Sequence, residues 1–210
     1  PCVSGLDTVA VLWYNKENDD ARTGGSRGTV VGVKDGYPME RLTTADFDAV
    51  YRLMEASFPV DERRTRAGQQ ALLEEPAYRL WGEWDGGELM GFAAVWELQP
   101  MTFVEHLAVD PRRRNGGTGG RMLAALAAEY GALCLEVELP HTEMAARRVG
   151  FYRRNGFQYN DYPYMQPALS PGSAPVPLRI MTRERPLSPA EFAALREQLY
   201  ARVYRCTGQR

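Results

Sequence analysis

The stretch that most constrains the fold reads Val109-Asp110-Pro111-Arg112-Arg113-Arg114-Asn115-Gly116-Gly117-Thr118-Gly119-Gly120-Arg121-Met122-Leu123. It sets a strand end, a proline stop, a run of glycines and the start of an amphipathic helix one after another. Glycines permit positive φ and let backbone N–H groups come close to a ligand. The first turn of the helix that follows has N–H donors without intrahelical partners and the positive end of the helix dipole, so the loop suits a pyrophosphate. The neighbouring arginines add charge-assisted contacts. A plain tight turn would use the same residues, so the rival phosphate loops must be tested by spelling. A P-loop needs Gly-Lys-Ser/Thr after four spacers, but Gly119-Gly120 is followed by Arg121-Met122. A dinucleotide fingerprint started at Gly117 and Gly119 needs glycine where Met122 stands. Both fail.

Around this loop the chain alternates helix and strand signals. Thr43 or Thr44 can cap a helix whose apolar positions Phe47, Val50, Tyr51, Met54 and Phe58 keep helical spacing until Pro59. A charged turn over residues 61–64 leads to a second helix near residues 66–74. Residues 78–84 and 89–98 read as a hairpin around Asp85-Gly86-Gly87, and residues 102–109 as the next strand. After the glycine loop come a helix with Met122, Leu123, Leu126 and Tyr130 on one face, a strand over residues 133–139, and a helix capped by Thr142 that stops at Asn155-Gly156. Strands near Phe157 and over residues 176–182 close the domain, separated by a loop over residues 166–175.

What flanks this core differs in character. Residues 1–38 read as a weakly ordered extension, even one upstream of a start at Met39; a small hairpin from residues 8–14 and 29–33 is the alternative. Residues 39–183 form the main domain. In residues 184–210, Ser188, Pro189 and Glu191 combine an N-cap, a first-turn proline and a capping-box glutamate. The stripe Phe192, Leu195, Leu199 and Val203 that follows fits docking on the same domain, with a dimer contact as the alternative.

Composition removes several functions. Lysine and arginine number 25 against 27 aspartates and glutamates, a net charge of −2 that gives no general grip on nucleic acid. No apolar run reaches the roughly 20 residues of a membrane-spanning helix. Cys2, Cys134 and Cys206 lie far apart and only two histidines occur, so neither a disulfide framework nor a metal site is expected and a cytoplasmic setting is the default.

The spelling that does fit the loop is R/Q-x-x-G-x-G/A, with Arg114, Gly117 and Gly119 in register, and in this the chain resembles the GNAT N-acetyltransferases and their acetyl-CoA loop. Gly150-Phe151-Tyr152-Arg153-Arg154-Asn155-Gly156-Phe157 is similar to a second hallmark, F-Y-x-x-x-G-F. Phe103-Val104-Glu105-His106-Leu107-Ala108-Val109 resembles the family's fourth strand and Leu135-Glu136-Val137-Glu138 its fifth. The resemblance implies an α/β (α+β) fold, a mixed and mostly antiparallel sheet flanked by helices, here with a C-terminal helix. It implies acetyl transfer from acetyl-CoA to the amine of a small molecule or peptide by direct attack in a ternary complex, without an acyl-enzyme and without a metal. Many members carry an asparagine early in the helix after strand five; Ala145 stands there, so that contact is missing or supplied otherwise. A non-catalytic acyl-CoA-binding or sensor domain is the alternative function.

The resemblance also assigns roles. Backbone groups of Leu107 and Val109 would meet the thioester and pantetheine, and Arg114, Asn115, Gly116, Gly117, Thr118, Gly119 and Gly120 the pyrophosphate. Glu105 is the expected base, against a plain ion pair with an arginine. On a regular strand His106 points to the opposite face and packs; a β-bulge would reverse that facing. Tyr152 is the expected acid for the leaving thiolate, its ordinary pKa near 10 keeping it protonated. Phe58, Glu62 and Glu138, with Glu136 beside it, fall on the acceptor side, where carboxylates suit a cationic amine. A monomer or homodimer is expected, with no nucleic-acid or membrane partner.

Overall fold

A computed structural model describes residues 30–31, 38–169, 172 and 174–206. Apart from residues 30, 31 and 38, the expected extension, with its first apolar run over residues 8–14, lies outside the described residues. The strands are β1 (Val30–Val31), β2 (Met39–Leu42), β3 (Tyr78–Asp85), β4 (Glu88–Glu97), β5 (Thr102–Val109), β6 (Leu133–Glu138), β7 (Phe157–Gln166) and β8 (Val176–Arg183). The helices are α1 (Phe47–Ser57), α2 (Arg66–Ala71), α3 (Thr118–Tyr130), α4 (Glu143–Arg154) and α5 (Pro189–Gln198). All strands join one sheet in the order β1-β2-β3-β4-β5-β6-β8-β7, antiparallel everywhere except between β5 and β6. This is the mixed α/β fold that the sequence implies.

The local signals act as chemistry requires. Thr43 and Asp46 form a capping box on a short 3-10 turn that leads into α1, and Ser188 and Glu191 form another at α5. Thr142 Oγ1 accepts the N–H of Ala145 at 3.1 Å and starts α4. Each helix then buries its apolar stripe. One face of the sheet holds Phe47, Val50 and Met54 of α1 together with Phe192, Leu195, Leu199 and Val203 of the tail. The opposite face packs Met122, Leu123 and Leu126 of α3 and Val149 of α4. At Gly91 of β4 a Cβ would lie 2.8 Å from Ala108 O and 2.9 Å from Met122 Sδ, so α3 can seat here only over a glycine. The tail helix passes from α into a π-turn over Leu199–Val203, which the apolar stripe does not reveal.

Two irregularities in β5 shape the molecule's centre. The first is that β5 and β6 pair only through Thr102↔Leu133, Phe103↔Cys134 and Val104↔Leu135. Beyond Val104 the strands part, because β5 stays on β4 while β6 follows β8. The second is a bulge: His106 opposes Ala94 and Val104 opposes Val95, leaving Glu105 as the extra residue. Strict alternation would send Glu105 and His106 to opposite faces. With the bulge, Glu105 meets Trp96 and Arg64 while His106 meets Phe58, so both face the α1 side. The regular-strand expectation for His106 is therefore corrected.

Candidate active site

The glycine loop behaves as its spelling predicts. Asp110 caps a short 3-10 turn over Pro111–Arg113, Asn115 and Gly117 take left-handed φ of 68° and 78°, and α3 begins at Thr118 with no side-chain cap on its N-terminus. The first intrahelical bond runs from Arg121 N to Gly117 O at 3.0 Å, so the N–H groups before it are left for a ligand or water. Arg121 straps the loop from below: it donates to Gly116 O at 2.8 Å, Thr118 Oγ1 at 3.0 Å and the fully buried Glu83 at 2.7 Å. Arg114 is buried, donating from Nε to Val109 O at 3.1 Å, while its Nη2 has no hydrogen-bond partner. An orphaned guanidinium nitrogen beside an uncapped helix start fits an anionic diphosphate. Asn115, Gly116 and Gly120 complete the loop; a Cβ on Gly119 would touch Phe151 Cζ at 3.3 Å, which seats α3 close on α4.

Two cavities flank this region. One, lined by Leu107, Val109, Arg114, Gly119, Arg148, Phe151 and Tyr152, lies under the loop. The other fills the gap between β5 and β6, with Phe58, Glu62, Glu105, His106, Glu136 and Glu138 among its walls. Leu107, Arg148 and Tyr152 border both. The phenol of Tyr152 thus stands at the junction, held between the rings of Phe151 and Phe157 at 5.2 and 5.7 Å. Burial raises its pKa above the ordinary phenol value, against a smaller opposite pull from Arg148.

The carboxylates in the gap are not equivalent. Glu105, its side chain 3% exposed, accepts from Arg64 Nη1 at 2.6 Å and from Trp96 Nε1 at 3.0 Å. Burial alone would raise its pKa, but Arg64, His106 and Trp96 outweigh burial and hold it below the usual range. Arg64 also donates to Val203 O at 3.1 Å, tying the bulge to the tail. Glu136 accepts from Tyr204 Oη at 2.7 and 2.8 Å and from Gln166 Nε2 at 2.7 Å. Among the described residues no cation pairs with it, and burial pushes its pKa up to about 7 despite those donors. Glu138 pairs with Arg148 at 2.7 Å. His106 lies edge-on to Phe58 at 4.8 Å, with Nε2 3.3 Å from Glu62 O and Nδ1 3.8 Å from Glu105 Oε2. Burial lowers its pKa, so it is neutral near pH 7.

The structure thus gathers Glu105, Glu138, Phe58, Glu62, Leu107 and Tyr152 around one gap and keeps Arg114 to Gly120 at its far end. Sequence reasoning missed Arg64, Arg148 and Tyr204. Each reaches the site across the fold, and local spacing carries no signal for such a contact. Cys134 is buried at the β5–β6 start, and burial raises its thiol pKa far above the ordinary range. Ala145 is buried too. Among the described residues no His/Cys/Asp/Glu group could hold a metal, and no helix is long and apolar enough to cross a membrane.

A sheet parted after a short parallel pairing, with a glycine loop at a helix start on one side and an acid-lined gap on the other, defines the acetyltransferase class. The family model described as "Acetyltransferase (GNAT) domain" matches residues 76–159. A GNAT-family protein of Bacteroides thetaiotaomicron, assigned as an acetyltransferase, superposes with a TM-score of 0.72 at 30% identity, over 79% of this chain and 97% of that one. This chain belongs to the GNAT acetyltransferase family, whose members take the acyl group from acetyl-CoA. A candidate acetyltransferase of Bacillus subtilis (strain 168), YjbC, is 28% identical over 111 residues, 52% of this chain and 56% of YjbC, so the match spans just over half of that relative. The ribosomal-protein-S18-alanine N-acetyltransferase of Escherichia coli shares the fold at 20% identity, with a TM-score of 0.53 over 71% of this chain and 94% of its own.

Proposed function

We propose that this protein transfers the acetyl group of acetyl-CoA to a primary amine by direct attack while both substrates are bound. The observation that carries the reading is the meeting of two cavities at Leu107, Arg148 and Tyr152, one below a diphosphate-type loop and one in an acid-lined gap. Residues 114–120 hold the pyrophosphate through helix-start N–H groups and the Arg114 guanidinium. The edge of β5 beyond Val104, including Leu107 and Val109, has no β6 partner and so offers backbone groups to the thioester and its pantetheine arm.

An amine attacks as its neutral form, yet most amines are ammonium ions at pH 7. We assign the proton acceptor to Glu136 rather than Glu105. Glu105 is committed to Arg64 and holds its charge too firmly to be a good base, whereas Glu136 titrates near 7, where a base is most effective. Glu136 takes a proton from the ammonium ion, the neutral nitrogen bonds to the thioester carbon, the C–S bond breaks, and the second nitrogen proton leaves to solvent, from which Tyr152 regains the proton it gives up. Tyr152 Oη gives its proton to the leaving thiolate. Glu105, with Arg64, then acts as a positioning residue that fixes the bulge.

The test is Tyr152→Phe, which keeps the ring packing and removes only the proton. We expect kcat to fall by roughly 10²–10⁴-fold, with acetyl-CoA affinity by calorimetry unchanged. A loss below about threefold would remove Tyr152 from the proton path.

A further inference from the structure

The acceptor side is a small cavity with largely apolar walls. Its cavity measures about 90 Å³, less than the ~150 Å³ that admits one benzene in an engineered protein cavity. Apolar walls come from Phe58, Leu135, Val176 and Leu178. Three of the four acids in the wall are engaged by side chains, Glu105 with Arg64, Glu138 with Arg148, and Glu136 with Tyr204 and Gln166, and Glu62 is the fourth. An entering group therefore meets apolar side chains set between carboxylates that are mostly paired.

A second hollow of about 280 Å³ shares Leu169 with this cavity. Arg64 and Tyr204 line the larger hollow, while their partners Glu105 and Glu136 line the smaller one. The two bonded pairs are thus the partition between the hollows, and Leu169 is the side chain common to both.

Resting on the acetyl-transfer reading above, we infer that the acceptor is a primary amine on an unbranched alkyl chain. It enters end-on, with the nitrogen and first few carbons in the small cavity and the remainder past Leu169 in the larger hollow. A six-membered ring is wider than an unbranched chain and fills more of the small cavity. An amine on a branched carbon, such as a peptide α-amine, brings a second substituent beside the reacting nitrogen. A linear diamine and a lysine side chain present the same chemistry.

The experiment follows free CoA release and product mass for n-butylamine, 1,5-diaminopentane, Nα-acetyl-lysine amide, cyclohexylamine and a short peptide with a free α-amine. We expect kcat/KM for the unbranched amines to exceed those for cyclohexylamine and the α-amine by about 30-fold or more, the scale at which a pocket rejects an oversized group. Comparing the diamine with the blocked lysine separates a free small molecule from a side chain as the source. In Leu169→Ala, which trims a partly exposed residue, the cyclohexylamine-to-butylamine ratio should rise about tenfold. Equal turnover of cyclohexylamine or the α-amine, or a ratio unmoved in Leu169→Ala, overturns this inference and leaves acetyl transfer standing. No acceleration by any amine overturns both.

Discussion

Two glutamates of like chemistry, placed across one gap, end up with opposite electrical lives. Glu105 gains an arginine and an indole N–H; Glu136 gains only neutral donors. The difference makes Glu136 visible to pH. Its pKa rises from 4.5 to about 7 on folding, so between those values the native state keeps a proton that the unfolded chain has released. Stability from this group is present below pH 4.5 and is lost as pH rises through about 7. Glu136→Gln should flatten that slope in denaturant unfolding measured at several pH values. The same substitution should lower kcat/KM roughly 10²–10⁴-fold and erase the acidic limb of its pH profile near 7. An unchanged limb would return the role of base to another group. The sequence placed Glu105 and Glu136 on neighbouring strands correctly, but which one holds its charge depends on Arg64 and Tyr204. These lie 41 and 68 residues away from their partners, beyond the reach of spacing.

Elements were legible where neighbours in sequence decide the geometry. The glycine loop, the caps at Thr142 and Ser188 and the 102–109 strand follow from local rules, because the groups that satisfy them lie within a few residues. β2 went unread: four residues are too short to show alternation, and only pairing with β3 makes them a strand. The bulge at Glu105, the parting of β5 from β6 and the π-turn were likewise hidden, since each is set by a partner strand or by packing. Arg121 marks the boundary between the two kinds, a loop residue whose partner Glu83 comes from β3. Arg121→Ala leaves the buried Glu83 carboxylate without its cation, and we expect a loss of about 3 kcal/mol in denaturant unfolding. Adding Glu83→Gln should restore part of that stability. It should not restore acetyl-CoA affinity, because the strap on Gly116 and Thr118 is still missing. Full recovery of affinity in the double variant would show that the strap does not shape the loop.

At the scale of the molecule, the site exists because the two faces of the sheet are served by different ends of the chain. α3 and α4 bring the loop and Tyr152 to one face, while α1, the 61–64 turn and the tail bring Phe58, Arg64 and Tyr204 to the other. The parted strands join them through the sheet. Motif spelling reaches the first half because the loop and the F-Y segment are continuous in sequence. The acceptor half is assembled from separate segments of the chain, so its shape emerged only with the fold. The most direct measurement is a matrix of initial rates with acetyl-CoA and n-butylamine varied together. Direct attack with both substrates bound predicts reciprocal plots that intersect, with CoA and N-butylacetamide formed one to one. Parallel lines, the mark of an acetylated enzyme intermediate, or CoA release that does not depend on the amine, would contradict it.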